Sequence, residues 1–166
     1  MIQLTSKKTK DIDTFILNQI LKLKNSHWTY GLNSQEAFFK KKIHSNDIHN
    51  LLLIKDKLIG YTCLRFIYYS KKSRKKFLYF DTLIIKKSYR GKGLSKILMN
   101  FNNMVIKLSK SPSHLVCKKK MINFYSKYLW EKSPQFLFSG INSYDQCLSY
   151  NYKSKNKFKN KITINL

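Results

Sequence analysis

Apolar and polar positions follow two periods along this chain, and the change from one to the other marks its elements. Phe77 to Ile85, FLYFDTLII, is aromatic or aliphatic apart from Asp81 and Thr82, the composition of a strand buried on both faces. From Leu94 the period lengthens. Leu94, Ile97, Leu98, Phe101, Met104, Val105 and Leu108 recur at helical spacing, with Lys96, Asn100, Asn103, Lys107 and Lys110 mainly between them. This predicts an amphipathic helix that ends at Ser111 and Pro112. Upstream, Asn50 to Ile54 and Leu58 to Ile67 read as two strands joined by the tight turn Lys55-Asp56-Lys57, with Gly60 inside the second strand as a bulge or close-approach site.

The two ends obey the same rules. Ile2 to Thr5 predicts a first strand. Ile12, Phe15, Ile16, Ile20 and Leu23 form a helical stripe ending near Asn25, with Asp11 and Asp13 placed to complement the dipole at its start. Ser34 is an N-cap for a second helix whose apolar part is Ala37, Phe38 and Phe39, and His27, Trp28, Tyr30 and Leu32 make an aromatic loop between the two helices. Toward the carboxyl end, His114 to Cys117 reads as a short strand and Lys119 to Trp130 as a helix. Gln135 to Ser139 and Gln146 to Tyr152 read as two strands that complete the sheet, joined by the loop Gly140-Ile141-Asn142-Ser143. Phe158 to Leu166, where Ile162 and Ile164 alternate with Thr163 and Asn165, is one more strand or a tail.

Chemistry concentrates where the strand Phe77 to Ile85 runs through a glycine turn into the helix. The first amides of a helix have no intrahelical acceptor, and the peptide dipoles add positive potential there, so an anion gains both hydrogen bonds and field. Gly91 and Gly93 let the backbone approach a diphosphate, and Arg90 and Lys92 add charge at the rim. Two other phosphate motifs fail on spacing. A P-loop needs Lys and then Ser or Thr after its last glycine, where this chain has Leu94 and Ser95. A dinucleotide fingerprint needs a third glycine, and Ser95 and Lys96 follow instead.

The turn resembles motif A of the Gcn5-related N-acetyltransferases, the GNAT superfamily, whose pattern is Arg or Gln, two residues, Gly, one residue, then Gly or Ala. Arg90, Gly91, Lys92, Gly93 and Leu94 follow it, and Ser95 stands in for the final small residue. The order of elements from Asn50 to Trp130 is also similar to the family's. Phe124-Tyr125 in Met121-Ile122-Asn123-Phe124-Tyr125 matches a pair the family often carries. Leu129-Trp130 stands where Gly-Phe is usual, so the turn after that helix is expected to differ.

The resemblance implies an α/β (α+β) fold in a single domain over residues 1–152. Its mixed central sheet would have roughly six to seven strands flanked by about four helices, with splayed strands at the CoA site. Residues 153–166 would be a basic extension or an extra strand. It further implies acetyl-CoA as cosubstrate, with Arg90, Gly91, Lys92, Gly93, Leu94 and Ser95 at its diphosphate, Leu83, Ile84 and Ile85 along its pantetheine, and Asn123 as a further contact. A backbone N–H near Ile84 or Ile85 would meet the developing oxyanion. Tyr125 would protonate or hydrogen-bond the CoA sulfur, and Asp81, which shares a strand face with Tyr79, Leu83 and Ile85, would act as base through a water. Glu36, His27 and His44 are weaker candidates for that base. A core aromatic role for Tyr125 and a lysine ion pair for Asp81 are the competing plain readings.

Composition narrows the partners. At 166 residues and 43% hydrophobic content the chain suits one domain. Leu51 to Ile54 is far short of a membrane span and Met1 to Lys10 lacks the apolar centre of a secretory signal, so a soluble cytoplasmic protein without a membrane span is expected. Cys63, Cys117 and Cys147 are widely spaced, and the four histidines lack ligand spacing, so neither a disulfide framework nor a metal site is indicated. Lysine and arginine number 33 against 8 acids, for a net charge of +25. Such a surface attracts CoA, nucleic acid, anionic headgroups or an acidic carrier, and disfavours a free polyamine. The densest stretches are Ser70 to Lys76 and Lys153 to Lys161. The alternative function is therefore a basic nucleic-acid-binding module without catalysis, although no RRM or zinc-finger signature accompanies the charge. Amino sugars and other small amines lead as acceptors, aminoacyl-tRNA and protein amines stay open, and so do a longer acyl donor and a homodimer.

Overall fold

The structure, a computed structural model, describes residues 1–70, 74–134, 136–139, 145–152 and 162–164. Among them the elements are β1 (Ile2–Lys8), α1 (Thr14–His27), α2 (Leu32–Lys42), β2 (Ile48–Ile54), β3 (Lys57–Tyr68), β4 (Lys76–Ile85), α3 (Leu94–Leu108), β5 (Ser113–Lys118), α4 (Ile122–Ser126), β6 (Glu131–Lys132), β7 (Phe136–Phe138), β8 (Asp145–Tyr150) and β9 (Ile162–Ile164). Seven strands form one mixed sheet in the order β1-β2-β3-β4-β5-β8-β6. With its four helices this is the α+β class expected. The stretch Gln135 to Ser139 departs from expectation: its strand, β7, pairs in parallel with β9 in a separate two-stranded sheet instead of extending the main one. The loop Gly140-Ile141-Asn142-Ser143, the middle of the basic run Ser70 to Lys76 and the segment Lys153 to Lys161 lie outside the described residues.

The chain divides into two compact units, Met1–Arg65 with Thr82–Asn102, and Phe66–Asp81 with Asn103–Leu166. In the first, β1, β2 and β3 are consecutive antiparallel neighbours. Lys55 and Asp56 both take positive φ, 48° and 61°, the backbone a two-residue hairpin uses. Opposite Leu52 and Leu53 stand Gly60 and Leu58, so Ile59 is the extra residue of a bulge. Gly60 is also a close approach, since a Cβ there would lie 2.9 Å from Ile85 Cδ1 and 3.2 Å from Leu98 Cδ2. Alternation along the strands sends Leu51, Leu53, Tyr61 and Ile84 to one apolar cluster with Ile20 and Leu23 of α1, and Leu52, Ile59 and Ile85 to another with Leu94 and Leu98 of α3.

Helix ends show local chemistry at work. Asp13, expected only to complement the dipole at the start of α1, also caps it by accepting from the Ile16 amide at 2.8 Å. Ser34 is not the cap of α2. That helix begins at Leu32 behind Gly31, at φ 88°, and the Gly31 amide donates to Asn25 Oδ1 at 2.9 Å, which turns the chain earlier than the serine.

The second unit packs Phe77, Tyr79, Phe136, Phe138 and Ile164 into an aromatic-rich cluster. The helix expected over Lys119 to Trp130 is a 3-10 turn at Lys119–Met121 followed by the short α4. The turn after it keeps a glycine-like backbone without the glycine, because Leu129 sits at φ 65°, a left-handed conformation that costs a side-chain-bearing residue roughly 1–2 kcal/mol.

Helix α3 has the predicted extent but a different inner face. Ile97, Met104 and Leu108 are 36%, 48% and 74% exposed, whereas Asn102 and Asn103 are buried. In the first unit Asn102 Oδ1 accepts from Asn50 Nδ2 at 2.9 Å and from the Thr62 hydroxyl at 2.8 Å. In the second, Asn103 accepts from the Trp130 indole at 3.1 Å and donates to the Tyr128 carbonyl at 2.9 Å. Hydrogen-bonded polar groups are at home inside a protein, and an apolar count passes over them; Asn102 Nδ2 and Asn50 Oδ1 are buried without a partner among the described residues.

Candidate functional site

Strand β4 ends at Ile85, a 3-10 turn covers Lys87–Tyr89, and α3 starts at Leu94. Between them Gly91 and Gly93 take φ of 77° and 72°, which only glycine adopts freely. A Cβ on either would meet no protein atom within 4 Å, so both glycines face open space. The Gly93 carbonyl accepts from the amides of Lys96 at 3.0 Å and Ile97 at 3.4 Å, closing the first helical turn. Glycine has no side chain with which to cap the amides of Leu94 and Ser95, and these donate to no acceptor among the described residues. The start of a 15-residue helix is thus left open, with its dipole directed outward.

These groups border a cleft of about 370 Å³ that lies within the first unit. Leu83, Ile84, Ile85, Arg90, Gly91, Gly93, Leu94 and Ser95 line it, joined by His27 and Tyr89. Lys92 is off the lining, its ammonium 5.5 Å from the centre of the Tyr89 ring. Arg90, expected to add charge at the rim, is engaged by two partners. Its Nε donates to the Ile85 carbonyl at 2.9 Å and its Nη2 to His27 Nδ1 at 3.0 Å. Desolvation first, and the Arg90 charge second, lower the His27 pKa from its ordinary value, so the imidazole is neutral at pH 7. The sequence offers His27 only as a weaker base; its pairing with Arg90, across 63 positions of sequence, has no local signature.

The other predicted residues belong to the second unit. Tyr125, on α4, sits among the rings of Phe124, Phe80 and Trp130 at centroid distances of 5.1, 6.2 and 6.4 Å. Burial, then the Cys117 thiol, pushes its hydroxyl up to about 12, which keeps the phenol protonated at neutral pH. Asn123 is exposed on the same helix, and Asp81 is half-buried on β4. Strands β4 and β5 pair only at Leu78 with Ser113 and Tyr79 with His114. Beyond His114, β5 continues to Lys118 in register with β8, so the parallel ladder opens after two positions.

The weaker base candidates behave as ordinary surface groups: Glu36 pairs with Lys40 at 2.7 Å, and His44 is exposed with its amide on Asp47 Oδ2. Among the described residues there is no cluster of three or more metal-ligating side chains, and no helix long and apolar enough to cross a membrane.

A sequence profile of the Acetyltransferase (GNAT) family matches residues 17–129. No match was found among curated proteins. Solved structures with the same fold include Escherichia coli ElaA, at TM-score 0.69 and 15% identity over 90% of this chain and 99% of that one. An acyl-CoA N-acyltransferase from Pseudomonas aeruginosa superposes at TM-score 0.67 and 13% identity, again over 90% and 99% of the two chains. The PaiA N-acetyltransferase from Thermoplasma acidophilum, solved in complex with coenzyme A, does so at 0.57 and 14%, with the same coverage. Identities this low speak for the fold alone. The matched segment, from early α1 to the turn behind α4, is more than half of the sequence, and the chain belongs to the Acetyltransferase (GNAT) family.

Proposed function

We propose that this protein is an N-acetyltransferase that moves the acetyl group of acetyl-CoA to a small primary amine, such as an amino sugar, by direct attack in a ternary complex. The observation that carries the reading is the open start of α3: uncapped amides at Leu94 and Ser95, beside two left-handed glycines, facing a cleft. A diphosphate fits such a place, because each oxygen finds a fixed donor and the helix field favours its charge. The backbone of Gly91 to Ser95 holds the diphosphate, with Lys92 adding charge. The main chain of Leu83 to Ile85, at the cleft wall, aligns the pantetheine, and an amide near Ile84 or Ile85 meets the charge that develops on the carbonyl oxygen. Asn123 is a further contact to the cosubstrate in this reading.

Proton handling falls to Asp81 and Tyr125. An amine of pKa near 10 costs about 4 kcal/mol to deprotonate at neutral pH, and Asp81, acting through a water, takes that proton. Tyr125, at about 12, lies above an ordinary thiol by an amount that makes complete transfer to sulfur unfavourable by roughly 5 kcal/mol. The role that suits it is a hydrogen bond to the departing thiolate. The net charge of +25 disfavours a polycationic acceptor.

The test is calorimetry with acetyl-CoA, followed by a panel of amines with thiol release as the readout. Micromolar binding and amine-dependent release are expected. Absence of acetyl-CoA binding to the native protein would overturn the proposal.

A further inference from the structure

The cleft contains a histidine whose chemistry is set by its neighbour. A guanidinium has donors and no acceptor, so the 3.0 Å contact from Arg90 Nη2 to His27 Nδ1 requires a lone pair on Nδ1. The neutral ring then carries its proton on Nε2. A doubly protonated ring would set N–H against N–H. Nε2 has no bonding partner among the described residues, and the side chain borders the cleft with Ile85, Leu94 and Ser95. Arg90 is itself held by the Ile85 carbonyl at 2.9 Å, which steadies the guanidinium that orients the ring.

Resting on the acetyl-CoA reading, we infer that His27 is a further ligand-binding residue: Arg90 holds it as the Nε2–H tautomer, and that N–H donates to the diphosphate–pantetheine arm of the bound thioester. The same arrangement removes His27 from the candidate bases, because Nε2 has no lone pair with which to take a proton from an amine. Burial, then the Arg90 charge, lowers the pKa of the ring, which favours the neutral form and with it the acceptor that Arg90 needs. The sequence pattern of the turn accounts for Arg90 and the glycines. It says nothing of a donor brought in from the end of α1.

Calorimetric Kd values for acetyl-CoA on the native protein and three variants test this. His27→Phe removes the donor, and an increase in Kd of about tenfold is expected, the size of one hydrogen bond. His27→Gln, whose amide nitrogen reaches roughly where Nε2 stood, recovers most of that loss. His27→Asn keeps an acceptor near Nδ1 for Arg90 without the distal donor, and behaves as Phe. Equal Kd values across the series, with kcat alone falling, would overturn the inference and return His27 to the bases. Nitrogen-15 spectra of the His27 ring in the native protein give a second reading that no variant can confuse. A protonated Nδ1 at pH 7 would overturn it. If the native protein bound no acetyl-CoA, the acetyltransferase reading would fall, and the spectra would still decide the tautomer.

Discussion

His27 and His114 carry the same imidazole into opposite surroundings. His114, in the second unit, is fully buried, with Tyr69 Oη 2.8 Å from Nε2 and Ser149 Oγ 2.6 Å from Nδ1. The rings of Phe136 and Phe77 stand against it at 4.3 and 4.9 Å. Both nitrogens are satisfied, and burial lowers its pKa to about 3. His27, in the first unit, is exposed at a cleft with one nitrogen held and the other open. A polar group enclosed with all its bonds made contributes to a defined core. One held in place with a donor left over can meet a ligand. The glycine turn repeats the second condition in main-chain form, at the amides of Leu94 and Ser95.

Acid should break this comparison most strongly. Like His114, His49 is buried and neutral, its nitrogens at 2.7 Å from the Tyr61 hydroxyl and 2.9 Å from that of Thr9, and its pKa is lowered to about 4 by burial and then by Lys24. In the unfolded chain both would titrate near 6.5, so below that pH the unfolded state binds more protons and stability falls as the pH drops. The loss reaches about 3 kcal/mol per histidine by pH 4. Urea denaturation at pH 7, 5.5 and 4 would show it, and a flat profile would contradict the enclosed, neutral reading of these rings.

Next in size is Phe136→Ala. Phe136 is 2% exposed, and truncating such a ring costs about 3–5 kcal/mol. Acetyl-CoA affinity should stay within about threefold of native, since the residue is outside the proposed binding groups. A large loss of affinity would blur the distinction between the enclosed and the open region.

Gly93→Trp is the mirror experiment. No protein atom lies within 4 Å of the added Cβ, so the fold should lose only about 1–2 kcal/mol of backbone strain. An indole in the cradle should weaken acetyl-CoA binding by more than about a hundredfold, near 3 kcal/mol. Retained affinity in calorimetry would remove the diphosphate from this turn. Gly60→Ala should cost about 1–3 kcal/mol by overpacking, because its Cβ would press on Ile85 Cδ1 at 2.9 Å; a chemical melt reads this directly. Smallest is Tyr125→Phe, for which a drop of about tenfold in kcat at unchanged KM is expected from one lost hydrogen bond. Full turnover would leave Tyr125 as a packing residue among Phe80, Phe124 and Trp130.

Much of the framework was legible because it depends on neighbours in sequence. The nearly continuous apolar run through β4, the hairpin at Lys55 and Asp56, the acids at the start of α1 and the glycine turn into α3 each express a local preference of backbone or side chain. Eight residues expected at the CoA moiety do line one cleft, all of them from the single strand–turn–helix segment. The misplaced cap of α2 and the overlong α4 show where local signals mislead: a distant acceptor such as Asn25 Oδ1, or a left-handed Leu129, ends or starts a helix where propensity does not.

Sequence alone determined that a strand would lead through two glycines into a helix start, since turn glycines and the apolar periods on either side are properties of a few consecutive residues; that the first amides stay uncapped is a finding of the structure. Tertiary structure decided the rest. It turned Asn102 and Asn103 inward to partners at Asn50, Thr62, Tyr128 and Trp130, enclosed His49 and His114, and brought His27 to Arg90. Such pairings join residues far apart in the chain, and a hydrogen bond or a desolvated ring exists only once folding has set both partners in place.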